Sequence, residues 1–310
     1  MSFLKRLKAY LVLPALTALF TFSIHGAELQ QPPKSPEVPD WAIATMAFPQ
    51  LGKALDKAGA YANILLPNSA ELAKQILMNF LFTLPLDEGL QKDAPAIIYV
   101  LDPVSTGLSE ERAFLIGLKD AAKVKAALIG TFGAPTEEAG VMTFTLLQPP
   151  PQPDKFLVVK LNGDKLLAAP SATLLKKLDE FSAAKTDAEL LGTSGAEADL
   201  AVKVPAVKRA YVPLVMGGLA ILEQLAGPEH ANEFKEVNQL FDTVWQFDLL
   251  GTRVKFNEDA SSAMIEFEGI PQKGSPLAAR LAEPGLHVKV DVLQLAPDKL
   301  ALFLAGTGNG

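Results

Sequence analysis

The chain has 310 residues, about half of them apolar, a formal net charge of −7 and no cysteine. That length suits one large domain or two ordinary ones. The absence of cysteine removes disulfides, thiolate metal sites, cysteine nucleophiles and a lipid-modified N-terminal cysteine. The acidic balance is repelled by phosphate backbones and argues against nucleic-acid binding, and Lys119, Lys123 and Lys125 read as a solvated helix face rather than a basic patch.

Residues 1–27 have the form of a secretory signal. Lys5, Arg6 and Lys8 make a basic start, residues 9–24 are apolar apart from Pro14, Thr17, Thr21 and Ser23, and His25-Gly-Ala27 follows. Cleavage is expected after Ala27. His25 is larger than such sites prefer, so an uncleaved anchor is the alternative; the apolar run is short for a hydrocarbon core of ~30 Å, which favours cleavage. No later stretch is long and apolar enough to span a membrane, so the remaining chain is expected to be periplasmic or secreted. Residues 28–40, polar and rich in proline, are expected to form an extended tether with no fold of their own.

A first α+β half is expected over residues 41–182. Residues 41–48 read as a strand ended by Pro49, and Leu51, Leu55 and Ala58 suggest a short helix. Asn68 and Glu71 resemble a capping box. The helix they open carries Leu72, Ile76, Leu77, Phe80 and Leu81 on one face and stops near Pro85. Such a stripe is either core or the wall of an apolar pocket, with Leu72, Ile76 and Phe80 as its lining. Residues 96–101 and 113–118 read as strands. Asp120 caps a helix to residue 129, stopped by Gly130. Residues 141–147 form the next strand, joined by a proline-rich loop to the clearest hairpin in the chain: strands at 156–161 and 165–169 around Asn162-Gly163. Ser171 then caps a helix with Leu174, Leu175, Leu178 and Phe181 on one face.

Residues 182–198, small and polar, read as a boundary. A second half is expected over residues 199–305: a strand at 199–204, helices near 214–225 and 233–245, strands at 247–256 and 263–267, a short helix opened by Ser275-Pro276, and a strand at 286–293. Phe48-Pro-Gln-Leu-Gly-Lys-Ala54 matches Val204-Pro-Ala-Val-Lys-Arg-Ala210 in type at five of seven positions, which suggests an internal duplication. Residues 295–305 look like another strand entry, either a terminal strand or the start of a further unit.

Catalytic, phosphate-binding and metal-binding patterns are missing. There is no Gly-x-Ser-x-Gly, no phosphate-binding loop, no Gly-x-Gly-x-x-Gly, no His-Glu-x-x-His and no calcium loop. His230 and Glu233 could share a helix face but lack two further ligands. His287 alternates with Val288 and Val290 as a surface strand residue would. Glu110-Glu111 and Glu137-Glu138 read as solvated loop pairs. No catalytic residue, cofactor site or metal site is assigned.

The strand-to-proline entries at Phe48-Pro49 and Val204-Pro205, the Asp120 helix and the Asn162-Gly163 hairpin leading to Ser171 give an order of elements that resembles a group of uncharacterised exported bacterial proteins built of repeated α+β units. The resemblance implies an α+β fold and carries no catalytic residues. The expected fold is antiparallel sheets with helices packed on one face, in two related halves. The apolar run at 156–161 additionally suggests central strands partly covered on both sides. The expected function is an exported, non-catalytic envelope protein acting as a binding or scaffold module, with a protein or an apolar small molecule as partner. The alternatives are a periplasmic carrier of an apolar ligand and a hydrolase with an unrecognised site.

Overall fold

The computed structural model describes residues 34–81, 89, 91, 93–108, 111–146, 155–227, 231–281 and 293–295. The signal segment with Ala27, the first part of the proline-rich leader, His230, His287, and most of the strands expected at 286–293 and 295–305 lie outside the described residues.

Among the described residues, eleven strands form one antiparallel sheet rather than separate sheets. In chain order they are β1 (Ala42–Phe48), β2 (Ala96–Leu101), β3 (Arg112–Gly117), β4 (Thr136–Glu138), β5 (Val141–Leu146), β6 (Lys155–Asn162), β7 (Lys165–Ala169), β8 (Ala198–Lys203), β9 (Phe247–Phe256), β10 (Ala263–Pro271) and β11 (Leu293–Leu295). Across the sheet the order is β11-β10-β9-β8-β1-β2-β3-β7-β6-β5-β4. β1 and β8, the first strands of the two expected halves, pair antiparallel, so the sheet runs unbroken across the boundary.

The helices are α1 (Leu51–Leu65), α2 (Ala70–Leu81), α3 (Pro103–Thr106), α4 (Ala121–Phe132), α5 (Ala172–Ala183), α6 (Asp187–Leu191), α7 (Val204–Ala226), α8 (Ala231–Val244) and α9 (Pro276–Leu281). The order strand, two helices, two strands, helix occurs twice, from β1 to α4 (with the one-turn α3 between its last two strands) and from β8 to α9.

Helices pack on both faces of the sheet, not on one. Successive strand residues point to opposite faces, and Ile97 and Ile98 of β2 belong to different cores. Ile98, Phe114 and Ile116 pack with Leu51 and Ala54 of α1 and Val124 and Leu128 of α4. Ile97, Tyr99 and Leu115 pack with Leu174, Leu175 and Leu178 of α5 and Leu190 of α6. This second face also takes Trp41, whose ring meets Tyr99 edge-on at 5.1 Å. On the first face α7 lays Ala206, Val207 and Tyr211 over Ile43, Ala44 and Val100.

Local signals were honoured where side chain and backbone agree. Asp120 accepts from the Lys123 N–H at 3.1 Å and Ser171 from the Leu174 N–H at 3.2 Å, each satisfying a donor that the first helical turn leaves free. Other signals shifted. Asn68 does not cap α2: it takes φ +67 in the turn, its N–H donates to Asn63 Oδ1, and Glu71 pairs instead with Lys74. Asn162 pairs with Lys165, so the hairpin loop is Gly163-Asp164, and Gly163 alone takes positive φ. α4 runs past Gly130 to Phe132 and ends at Gly133, φ +84. The expected boundary contains α6, opened by a full capping box in which Thr186 and Glu189 satisfy each other's backbone. Pro205 ends β8 by standing in the first turn of α7, where its missing N–H costs nothing. α7 then continues through Pro213, with a bend of 47° there.

Lys34–Asp40, in the expected leader, is the largest departure. Expected as part of a free tether, it is a strap across the second sheet face, with Ser35, Pro36 and Pro39 buried. The Lys34 N–H donates to Thr193 Oγ1 and the Thr193 N–H donates back to the Lys34 carbonyl, each at 2.8 Å. The Glu37 N–H donates to the Glu189 carbonyl, the Glu37 carboxylate pairs with Lys185, and Thr45 donates to the Glu37 carbonyl.

Candidate functional site

The pocket wall expected from Leu72, Ile76 and Phe80 is not formed by the residues that can be placed. Leu72 and Ile76 are 57% and 58% exposed, and neither lines the two cavities described below. The physical reason is that α2 packs chiefly on α1, with Lys74 and Ala70 against Gly59, where an added Cβ would stand 2.8 Å from the Lys74 side chain. Among its described side chains, Met78 and Leu81 reach the sheet core. The side chains of Phe80 and Glu233, like His230 and Glu110, lie outside the described residues. Glu111 is held by Lys155 at 2.6 Å and Glu137 by Lys125 at 2.8 Å; Glu137 and Glu138 stand exposed on β4, not in the expected loop, because they pair with Met142 and Val141 of β5. Among the described residues no three His, Asp or Glu side chains are grouped to hold a metal ion.

Two features of this structure could engage another molecule. The first is the outward side of the helix pairs that follow β1 and β8. Leu72 and Ile76 are one turn apart on α2, near the exposed Ile64 and Leu66 of the preceding helix end and turn. Ile221 and Leu225 are likewise one turn apart on α7, 61% and 78% exposed. Apolar side chains in water on two separate helix pairs are an unfavourable arrangement for an isolated domain, and they mark surfaces that a partner can cover. No single helix among the described residues is long and apolar enough to cross a membrane.

The second feature is a charged cluster on the sheet, built from period-two alternation. Asp199 on β8 lies directly opposite Arg253 on β9, and Arg253 opposite Glu266 on β10. The Arg253 side chain is 6% exposed and that of Asp199 1%. Arg253 Nε donates to Asp199 Oδ2 at 3.3 Å; its Nη2 donates to Glu268 Oε2 and, at 3.0 Å, to Ser35 Oγ. The Ser35 hydroxyl in turn donates to Glu268 Oε2 at 2.9 Å, so the strap closes the cluster. Asp199 Oδ1 is buried without a well-formed hydrogen bond. Burial pushes the Asp199 carboxyl up to about 6, with Ser194 and Arg253 pulling it down and the Glu268 charge adding to the rise. Beside the cluster, Lys255 holds Glu266 at 3.1 Å. The sequence carried a signal for this: Arg253 and Lys255 alternate on one strand, Glu266 and Glu268 on the next, a pattern of opposite charges on facing strands.

A groove of about 500 Å³ opens between the strap and the end of the same strands, bordered by Ser35, Val38, Lys203, Asp248, Leu249 and Ile270. Its walls mix both charges with apolar surface. A smaller cavity of about 60 Å³, under α6 between Ile97, Leu115 and Leu190, has room for little more than water. A second buried carboxylate, Asp102, is wholly structural in its contacts: it caps α3 by accepting from the Val104 N–H and is paired with Arg209, which ties α7 to the end of β2. No family model, curated protein or solved structure matches the chain.

Proposed function

We propose that the protein is an exported, non-catalytic binding or scaffold module of the cell envelope, built of two related α+β halves whose protruding helix pairs dock a partner protein. The observation that carries this reading is the pair of exposed apolar stripes, Leu72 with Ile76 and Ile221 with Leu225, on helices that follow β1 and β8. The recurrence of strand, two helices, two strands, helix, together with the Phe48-Pro49 and Val204-Pro205 entries, supports the relation between the halves. The basic and apolar N-terminal segment supports export.

The alternatives find less support. An apolar carrier needs an enclosed apolar cavity; the groove beside the strap is bordered by Lys203, Asp248 and Glu268. A hydrolase needs an accessible acid or base; the Asp199 carboxyl, pushed up to about 6, is buried and bonded to Arg253.

The test is a photo-crosslinking amino acid placed at Leu72 and at Ile221, and at the solvated Lys176 as control, in protein exported by its own host. Discrete protein adducts at the first two positions, absent at Lys176, are the expected outcome. Monomer alone at all three positions, with a lipid or other small-molecule mass in native spectra, would transfer the reading to the carrier.

A further inference from the structure

We infer that the groove beside the strap is a docking site for a short helical segment of a partner protein, which lays an aliphatic side chain over Leu249 and Ile270 as α6 lays Leu190 over Ile97 and Leu115. The strand registers carry the comparison. In the first half, Ala47, Ile97 and Leu115 are direct cross-strand partners on β1, β2 and β3. In the second, Lys203, Leu249 and Ile270 are direct partners on β8, β9 and β10. Ala47 and Lys203 each stand one residue before the matched entries Phe48-Pro49 and Val204-Pro205. Both rows look to the second sheet face. Ile97 and Leu115 lie in its core. Lys203, Leu249 and Ile270 are each an even number of positions, in unbroken register, from Asp199, Arg253 and Glu266, and so share their face.

The two rows hold the same place in the repeat and differ in what covers them. Over the first, Leu190 of α6 is 4% exposed, and the void left beneath it is about 60 Å³. Over the second the space is about 500 Å³, and Ile270 is 46% exposed. Among the described residues, this space is bordered beyond the strands by the strap and by Pro205 in the first turn of α7. Such a volume lies within the roughly 300–1,000 Å³ of sites that hold a bound molecule. The filled row shows what the open one accepts. α6 is five residues long, opened by the Thr186–Glu189 capping box and ended at Gly192, φ +78. It presents Leu190 to the sheet and its Glu189 carbonyl to the Glu37 N–H of the strap. A short helix with an aliphatic anchor in an apolar groove is a recurrent mode of peptide recognition. Charge adds a preference. Asp248 stands exposed at the rim of the open groove, where the first half has Ala96, and no ion pair among the described residues holds it. A basic residue beside the aliphatic one complements that rim. The inference rests on the relation between the halves proposed above, and the stripes at Leu72 and Ile221 play no part in it.

The experiment is a methyl NMR titration of the full chain with a synthetic peptide of its own segment Lys185–Gly192, which carries both the basic residue and the leucines, and with the same peptide bearing Leu190→Asp. The Leu249 and Ile270 methyls should shift and saturate with a dissociation constant on the order of 1 mM. The Leu190→Asp peptide should bind at least about tenfold more weakly. In the protein, Ile270→Glu should abolish the shift at Leu249 while the Ile98 and Ile116 methyls of the sheet core keep their positions. Asp248→Lys should weaken binding about threefold. No saturable shift below about 10 mM peptide would overturn the site. So would equal shifts from the two peptides, because the groove would then be indifferent to the aliphatic side chain. Shifts at Ile97 and Leu115 in place of Leu249 and Ile270 would mean that the peptide displaces α6 and that the open groove is not its site. Leu249 and Ile270 shifts that follow protein concentration without peptide would give the groove to a second copy of the chain. Unchanged affinity in Asp248→Lys would overturn the preference for a basic residue.

Discussion

One row of side chains crosses most of the sheet and changes character halfway. Through direct cross-strand partners it runs Leu167, Leu115, Ile97, Ala47, Asp199, Arg253, Glu266. Residues directly opposite share a face, so all seven look the same way. Over β7, β3 and β2 that face is apolar and roofed by α5 and α6; over β8, β9 and β10 it is charged and roofed at the cluster by the strap. The apolar end is stabilised by area removed from water, without regard to direction, at roughly 25 cal/mol per Å². The charged end must repay the desolvation of each ion through bonds of specified geometry, and it gains little net stability when it succeeds. The difference assigns the two ends different tasks: the first is a core, and the second fixes which chain segment may lie on it.

The largest way to break this comparison is Arg253→Ala. It leaves the buried Asp199 carboxylate without its cation and should cost about 4 kcal/mol in urea denaturation. A loss below about 1 kcal/mol would show that water already reaches the cluster and that the charged end is ordinary surface. Leu178→Ala on α5 empties a fully buried position at the apolar end and should cost about 3 kcal/mol. Its cost should be the same at pH 5 and pH 7.5, whereas that of Arg253→Ala should be greater at pH 7.5, because Asp199 then carries its charge. Tyr99→Phe is the smallest change and sharpens the contrast. The Tyr99 hydroxyl is buried against Trp41 and Phe181 with no hydrogen bond, and burial pushes its titration up. Removing it should raise stability by about 1 kcal/mol; a loss of stability would mean that the hydroxyl has found a partner.

Much of the first half was legible before any coordinates. The Asp120 and Ser171 caps and the strand at 96–101 rest on interactions within a few residues, and those stand as expected. The hairpin was legible too, but not which two residues turn it, because Asn162 and Gly163 both tolerate positive φ and the register chose. The stripe Leu72, Ile76 was visible as apolar and helical, yet periodicity gives the face and not what lies against it. The strap was missed for the same reason. Lys34-Ser-Pro-Glu-Val-Pro39 has tether composition, and it is held by Thr193, Glu189, Arg253 and Glu268, which are 152 to 233 residues away in the chain.

The sequence by itself determined the α+β class, the antiparallel strands, the helix starts after Asp120, Ser171 and Ser275, and the absence of familiar catalytic motifs, because alternation, helical spacing, caps and turns are short-range properties of the chain. Tertiary structure alone decided that β1 and β8 pair within one sheet, that helices cover both its faces, that Leu72 and Ile76 stand in water, and that Ser35 of the strap is bonded into a buried charge cluster. Each of those depends on which distant surfaces meet, and pairing across such separations is set by the combined burial and bonding of the whole fold rather than by any local pattern.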